Sequence, residues 1–423
     1  MAQKILAPRG TKDVLPQEVR KWHFVEATAR EAAGLFGFEE IRFPTFEHTE
    51  LFLRGVGDTT DIVQKEMYTF EDKGGRSITL RPEGTASVVR SIIENSLIAA
   101  GLPIKVYYIA PNFRYEKPQK GRLREHHQFG VECFGPESPE ADAEIIQLGA
   151  SFLNKLGITN YSLEINSIGC PCCRREYNNA LKAYFKENLN NLCDTCRERF
   201  DRNPMRILDC KDENCGKIAT DAPVTLDYLC GDCADHFTGL KKALDAVGIK
   251  YTVNPRIVRG LDYYTRTVFE FVSPIAGTQL TILAGGRYDG LVEELGGQPT
   301  PGLGFGSGIE RLILAMDVLG SVPAGRSGPA LFLASADEES KPRVSALALE
   351  LRRRGTATER DLMGRSLKAQ MKYAAKINAE FVAVIGAEEI EKGFVKLRAM
   401  DTGAETECEL DAEAIARRIV MTK

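Results

Sequence analysis

Between Asn112 and Phe134 the chain reads NFRYEKPQKGRLREHHQFGVECF, a run that gathers cations, carboxylates and an amide of the kind that phosphate chemistry needs. It reads as strand, basic loop, strand: KVYYIAPNFRYE and HHQFGVECF alternate, while Pro118 and Gly121 break the stretch between them. Residues two apart on a strand share a face, so Arg114 goes with Glu116, and Gln128 with Gly130 and Glu132, while Phe129, Val131 and Cys133 pack behind. The loop adds Lys117, Lys120, Arg122 and Arg124 as donors suited to phosphates. A solvated basic hairpin has the same composition, so the case rests on the rest of the chain.

Four further stretches supply reactive or polar groups. In SITLRPEGTASVV a short strand, Ile78 to Leu80, delivers Arg81, Glu83 and Thr85 to the start of a helix. Thr85 is placed to cap it, but capping does not account for Glu83. In VRGLDYYTRTVFEFV, Arg259 and Gly260 precede Tyr263 and Tyr264. Neighbouring strand residues point to opposite faces, so one tyrosine would enter a pocket and the other would pack; core packing of both is the alternative. AGGRYDG allows close backbone approach near Tyr288. GLGFGSGIERLILAM sets Gly302, Gly304, Gly306 and Gly308 into an apolar strand that runs into a helix. The buried stripe of that helix is Ile309, Leu312, Ile313 and Met316, which leaves Arg311 free for phosphate or for solvent. Neither a Walker loop nor a dinucleotide fingerprint is present. Alternate glycines suggest something flat against the sheet.

Nine cysteines lie between Cys170 and Phe237, and eight form close pairs: Cys170 and Cys173, Cys193 and Cys196, Cys210 and Cys215, Cys230 and Cys233. The first four give C-x2-C, nineteen residues, C-x2-C, within the spacing of structural zinc sites, and the second four give C-x4-C, fourteen residues, C-x2-C. One or two four-thiolate zinc sites are expected; free buried thiols are the alternative. His126 and His127 are adjacent, and adjacent strand residues point apart, which argues against a shared metal.

At 423 residues the scaffold has length for two to four domains. The net charge of −4 excludes a protein that coats nucleic acid by bulk charge, but not local basic patches that dock one RNA. The N-terminal stretch has no signal-peptide apolar run, and no segment approaches the ~18 apolar residues of a membrane span, so a cytoplasmic protein is expected. Leu15 to Phe36 is predicted helical. Pro44 interrupts FEEIRFPTFEH, as an edge strand, a bend between subunits or a plain turn. PESPEADAEIIQLGASFLNKLG is predicted as an acid-capped helix and YSLEINSIG as a strand. Residues 170–252 form an inserted Cys-rich module, and 320–329 a linker. Beyond it, strands and helices alternate as a separate α/β domain over 326–423. Its Lys and Arg residues could face RNA or water.

In this order the pieces resemble the class II aminoacyl-tRNA synthetases, and within them the histidyl-tRNA synthetase family. Pro44 falls at the motif 1 proline; FRYE through HHQFGVE is similar to motif 2, GLGFGSGIERL to motif 3, and RGLDYYTRTVFE and AGGRYDGL to the histidine-specific stretches. The resemblance runs from about Arg9 to the C-terminus. It implies an α+β catalytic domain over 1–325 with an antiparallel six-stranded sheet, interrupted by the insertion, then an anticodon-binding α/β domain and a homodimer. The implied reaction joins L-histidine and ATP, with Mg2+, into histidyl-adenylate and pyrophosphate. Histidine then passes to the 3′ end of tRNA(His), and AMP is released.

Carried over position by position, the resemblance gives Arg259, Arg114 and Gln128 catalytic roles and places Arg114, Glu116, Arg122 and Arg311 on ATP. Glu83, Gly84, Thr85, Arg114, Gln128, Glu132, Arg259, Tyr263, Tyr264 and Tyr288 would bind histidine, with Glu132 and the Tyr264 hydroxyl reading the imidazole. Glu83, Thr85 and Gln128 would take the ammonium group. Lys117 and Gln119 would meet the tRNA acceptor end. The family does not require the cysteine pairs. A synthetase-like regulatory subunit of ATP phosphoribosyltransferase shares the fold, but such paralogues lose parts of the histidine-specific stretch and the last domain. This chain keeps Arg259, Tyr263, Tyr264, Arg311 and that domain.

Overall fold

The computed structural model describes residues 4–57, 60–119, 121–210, 212–257, 259–275, 278–322 and 328–421. Lys120 of the basic loop and the expected domain boundary at 325/326 lie outside the described residues. The chain divides into two compact units, residues 1–322 and 323–423.

In the first unit the strands are β1 (Glu39–Glu40), β2 (Phe46–His48), β3 (Tyr68–Glu71), β4 (Ser77–Leu80), β5 (Ile104–Phe113), β6 (Glu125–Phe134), β7 (Ser162–Ser167), β8 (Thr252–Val253), β9 (Thr265–Ile275), β10 (Thr278–Arg287) and β11 (Gly302–Gly308). The main sheet runs β1-β5-β6-β11-β10-β9-β7-β8, and β2-β4-β3 form a small sheet beside it. The expected six-stranded antiparallel sheet is therefore corrected to a mixed sheet of eight. The six central strands are antiparallel, but β1 joins β5 and β8 joins β7 in parallel. Each edge strand has two residues, too short to leave a periodic trace in sequence.

Alternation on β6 decides the layering. Phe129, Val131 and Cys133 face a core shared with helices Val19–Leu35, Pro139–Lys155, Gly231–Ala246 and Ile309–Leu319. Gln128, Gly130 and Glu132 face the other way. A one-residue slip would exchange the two sets and drive a carboxylate among phenylalanines, so the register is firmly specified. Ser138, Pro139, Glu140 and Asp142 open the helix Pro139–Lys155 with the proline and acids that a helix N-terminus favours. Asp142 is nonetheless buried: it accepts Arg287 Nη2 at 2.5 Å and lies 3.3 Å from His236 Nε2.

Two local readings change. Strand β5 stops at Phe113, so Arg114 and Glu116 stand on the loop, where Tyr115 N donates to Glu66 O at 2.7 Å and draws the backbone off the sheet. Pro44 lies on a bend held by Arg81, which donates to Pro44 O at 2.7 Å and Phe43 O at 3.1 Å.

The Cys-rich segment packs a small core of its own around Tyr177, Leu181, Phe185, Cys196, Ile207 and Cys215. Phe237, Leu240 and Leu244 instead enter the main core, so the part with a separate core is shorter than 170–252. In the second unit, β12 (Leu331–Ser335), β13 (Thr358–Arg360), β14 (Phe381–Ile385), β15 (Phe394–Ala399) and β16 (Glu405–Glu409) form a sheet in the order β13-β12-β14-β15-β16. The first three are parallel, the rest antiparallel. Apolar faces of helices Lys341–Arg353 and Ala412–Met421 cover one side, and Leu367–Lys376 the other. No helix of the described residues is long and apolar enough to cross a membrane.

Candidate active site

The face of the main sheet opposite the core lines a cavity of about 480 Å³. Its closed end is built from Glu83, Thr85, Tyr108, Gln128, Glu132, Tyr263, Tyr264 and Tyr288. Glu132 is buried, and its two oxygens accept from Thr85 Oγ1 at 2.6 Å and from the Tyr288 hydroxyl. Burial pushes its carboxyl up to about 8, although both hydroxyls favour the charged form. Burial also raises Tyr108, Tyr263 and Tyr288 well above the ordinary phenol value, so they remain hydrogen-bond donors.

Thr85 is the first residue of helix Thr85–Glu94, not its cap, and Gly84 stands at the N-cap. Glu83 does the capping: its carboxylate accepts from Thr85 N at 2.7 Å and Ala86 N at 2.9 Å. Gly84 is absent from the cavity lining; a Cβ there would run into the Tyr108 ring. Both Tyr263 and Tyr264 line the cavity, with ring centroids 4.8 Å apart. The expectation that they part fails because they precede β9, on a turn where strand alternation does not apply.

At the open end stand Arg114, Arg122, Arg259 and Arg311, with Glu116, Glu270 and Glu310. Arg114 Nε donates to Pro82 O at 2.8 Å; Arg311 donates to Gly121 O at 3.0 Å and Thr281 O at 2.9 Å. Carbonyl anchors fix each guanidinium without neutralising it, and Arg114 has in addition only a long ion pair, 3.9 Å, to Glu116. Burial and the neighbouring Arg122 lower the Arg311 pKa, the crowding that an anion would relieve. Arg122 pairs with Glu116 at 2.5 Å. Arg259 pairs with Glu270, which also accepts from Thr281 Oγ1 at 2.8 Å, and stacks over Tyr264 at 5.5 Å. The Arg259 Nε is buried without a hydrogen-bond partner. His126, half-buried and facing Arg114 and Arg311, falls to about 3 through desolvation and these cations and is neutral. Lys117 and Gln119 are exposed on the loop outside the cavity.

The glycine strand does its work one strand away. Gly306 lies opposite Gly130 and Gly304 opposite Glu132. A Cβ at Gly306 would strike the Gln128 amide, and one at Gly304 the Glu132 carboxylate. Missing side chains on β11 thus make room for polar side chains on β6. Sequence reasoning missed Tyr108 and Asn112, whose hydroxyl and amide hold Gln128 Oε1 at 3.2 and 2.9 Å. The signal was the register itself, since Tyr108 pairs with Gly130. It also missed Glu270, a lone acid inside TVFEFV, and Glu310, which accepts His127 N at 2.9 Å.

The eight paired cysteines form two clusters, but not those expected from sequence order. Cys170 and Cys173 meet Cys230 and Cys233, while Cys193 and Cys196 meet Cys210 and Cys215; within each cluster the sulfurs lie within 4.8 Å of one another. Sulfur separations are 3.6 Å for Cys170–Cys173, 3.9 Å for Cys170–Cys230 and 3.8 Å for Cys193–Cys210. The outer pairs close around the inner ones because the segment between them folds back as helices.

A sequence model described as "Histidyl-tRNA synthetase" matches residues 10–312, and one described as "Anticodon binding domain" matches 327–419. The chain is 57% identical to a histidine–tRNA ligase of Caldanaerobacter subterraneus subsp. tengcongensis, over 96% of this chain and 97% of that one. It is 55% identical to the histidine–tRNA ligase of Acetivibrio thermocellus over the same shares. Its fold is similar to that of apo S. aureus histidyl-tRNA synthetase, with a TM-score of 0.83, 37% identity, and 98% of this chain and 100% of that one covered.

Proposed function

The chain belongs to the histidyl-tRNA synthetase family, and on that premise we propose the way its residues carry out the family reaction. The enzyme, a class II aminoacyl-tRNA synthetase, activates L-histidine with ATP to histidyl-adenylate and pyrophosphate. It then transfers histidine to the 3′ end of tRNA(His) and releases AMP. The observation that carries the assignment of roles is the gradient of burial along the cavity lining, from buried Glu132, Tyr263, Tyr264 and Tyr288 to half-buried Arg114, Arg122, Arg259 and Arg311.

Histidine occupies the closed end. Glu132 and the Tyr264 hydroxyl take the two imidazole nitrogens, while Tyr263 and Tyr288 wall the ring. Thr85 and Tyr288 hold Glu132 in place. A side chain without ring nitrogens would leave these buried polar groups unpaired, a penalty large enough to discriminate without editing. Glu83, Thr85 and Gln128 take the ammonium group, and Gly84 sets the helix start that aims Thr85.

ATP enters as its Mg2+ complex at the open end, with Glu116 and Glu310 as the carboxylate oxygens that this ion favours. Arg114 and Arg259 flank the α-phosphate, and Arg122 and Arg311 the outer phosphates. The histidine carboxylate attacks the α-phosphorus in line and pyrophosphate leaves. Because the nucleophile is already an anion, no general base is needed; fixed cations offset the charge spread over the transferring group. Lys117 and Gln119 meet the tRNA acceptor end, residues 326–423 read the anticodon, and two copies pair through the motif 1 region around Pro44, in the cytoplasm.

Each cysteine cluster takes one zinc ion. Zn–S bonds of ~2.3 Å in a tetrahedron set sulfurs ~3.8 Å apart, matching the separations above. Backbone amides already donate to these sulfurs, Cys193 N to Cys215 at 3.2 Å and Cys230 N to Cys173 at 3.1 Å, as a thiolate site requires. Such ions would be structural.

The rival reading as a regulatory subunit has a fold-level neighbour titled as an ATP phosphoribosyltransferase regulatory subunit/histidyl-tRNA synthetase, at 22% identity and a TM-score of 0.65. Formation of histidyl-tRNA from a tRNA(His) transcript, ATP and labelled histidine tests the proposal; a folded enzyme that binds the tRNA and never charges it would refute it.

A further inference from the structure

Arg259, Tyr263 and Tyr264 stand on a turn between β8 and β9, and Asp262 is the residue of that turn on which other segments converge. Its amide donates to Val56 O at 3.3 Å, at the end of helix Thr49–Val56. Gly57, with φ 97°, lies so close that a Cβ would come within 2.7 Å of the Asp262 carboxylate. From the Cys-rich segment, Arg206 Nη2 at 3.0 Å and Asn203 Nδ2 at 3.2 Å donate to one carboxylate oxygen of Asp262, and Arg174 Nη1 donates to its carbonyl at 3.3 Å. The Arg206 side chain is 11% exposed and that of Asp262 28%, so this ion pair is partly shielded from the screening that weakens surface pairs. Asn203 and Arg206 lie between Cys196 and Cys210, two members of the inner thiolate cluster.

We infer that Asp262 is a positioning residue for histidine selection, held by Arg206 and Asn203, and that metal in the inner cluster sets how firmly it is held. The inference rests on the histidine reading of the closed end. Asp262 does not line the cavity, but Leu261 and Tyr263 on either side of it do. Loosening Asp262 moves the tyrosines, and a displacement of about 1 Å takes a hydroxyl out of hydrogen-bond reach. On the phosphate side Arg114 is anchored on Pro82 and Arg311 on Gly121 and Thr281, away from this turn, and Arg259, though on the turn, is tied at its guanidinium to Glu270 of β9. The effect therefore falls on histidine and spares ATP.

The test is pyrophosphate exchange by Arg206→Ala, Arg206→Lys and Asp262→Asn, with zinc content measured on the same samples. Arg206→Ala should raise the histidine KM about tenfold or more while the ATP KM moves less than about twofold, a split that general destabilisation does not produce. Arg206→Lys keeps a cation without the planar fork and should recover part of the loss. Asp262→Asn, nearly isosteric, should show the same split and serves if Arg206→Ala does not fold. Removing zinc from the unmodified enzyme should reproduce the histidine effect and add little in Arg206→Ala.

Equal rises in both KM values, or an unchanged histidine KM in Arg206→Ala and Asp262→Asn, would overturn the inference alone. A chain that holds no zinc as purified would overturn its metal clause and leave the variant result to judge the rest. Absence of histidine-dependent exchange in the unmodified enzyme would overturn the functional reading and this inference with it.

Discussion

Thr85 Oγ1 donates to Glu132 Oε1 at 2.6 Å, joining the first turn of one helix to a central strand 47 positions later in the chain. That bond fixes both a buried carboxylate and the helix start whose amides Glu83 caps. On the proposed roles, substrate selection and local folding would share the same few groups.

Glu132→Gln keeps the shape and replaces the titratable carboxyl with an amide, which can neither give up nor take a proton. The account predicts a fall in kcat/KM for histidine of about a hundredfold, near 2.7 kcal/mol, with little change in the ATP KM. Steady-state exchange measures both; an unchanged histidine kcat/KM would remove Glu132 from imidazole readout.

The same carboxyl gives a pH signature. Its folded value of about 8 lies above the ordinary range, so between about pH 5 and pH 8 the folded state holds a proton that the unfolded chain has released. Stability from this group is therefore full at the acid end and is lost as pH rises through 8. Urea unfolding should show Glu132→Gln with a smaller loss of stability from pH 5 to pH 8 than the unmodified protein; equal losses would contradict the buried neutral carboxyl.

Arg259→Ala should lower the rate of adenylate formation by about a hundredfold or more, the scale of removing one preorganised charge from a transition state. Thr281 still donates to Glu270, so the fold should persist by circular dichroism. Near-normal single-turnover activation would exclude Arg259 from the mechanism.

Gly306→Ala tests the room left on β11. A methyl group there must displace the Gln128 amide, at a cost of about 1–3 kcal/mol for overpacking, and exchange activity should fall while the sheet remains. Full activity would show that Gln128 has no fixed place in the reaction.

Arg287→Ala removes a buried guanidinium from Asp142 and Asp289 and leaves Asp142 uncompensated apart from His236. The expected loss is about 3–5 kcal/mol of unfolding free energy, measured by denaturant titration. A loss under about 1 kcal/mol would mean that the network relaxes around the gap.

Much of this site was legible because polar residues interrupt apolar periodicity: Gln128 and Glu132 alternate with Phe129 and Val131, and Arg311 leaves an apolar stripe. What escaped depends on register between distant segments. Tyr108 matters because it pairs with Gly130, and the cysteine pairs join outer with outer because the segment between them folds back. The two edge strands were too short for any pattern, and the shared burial of Tyr263 and Tyr264 follows from a turn that alternation does not govern. Glu83 was rightly set apart from ordinary surface charge, yet its capping of the helix is visible only once Gly84 is known to stand at the N-cap.

The most direct measurement is ATP–pyrophosphate exchange with each of the twenty amino acids in turn. The account predicts exchange with histidine and none above background with the other nineteen. Exchange with a different amino acid, or none with histidine in a folded enzyme, would contradict it.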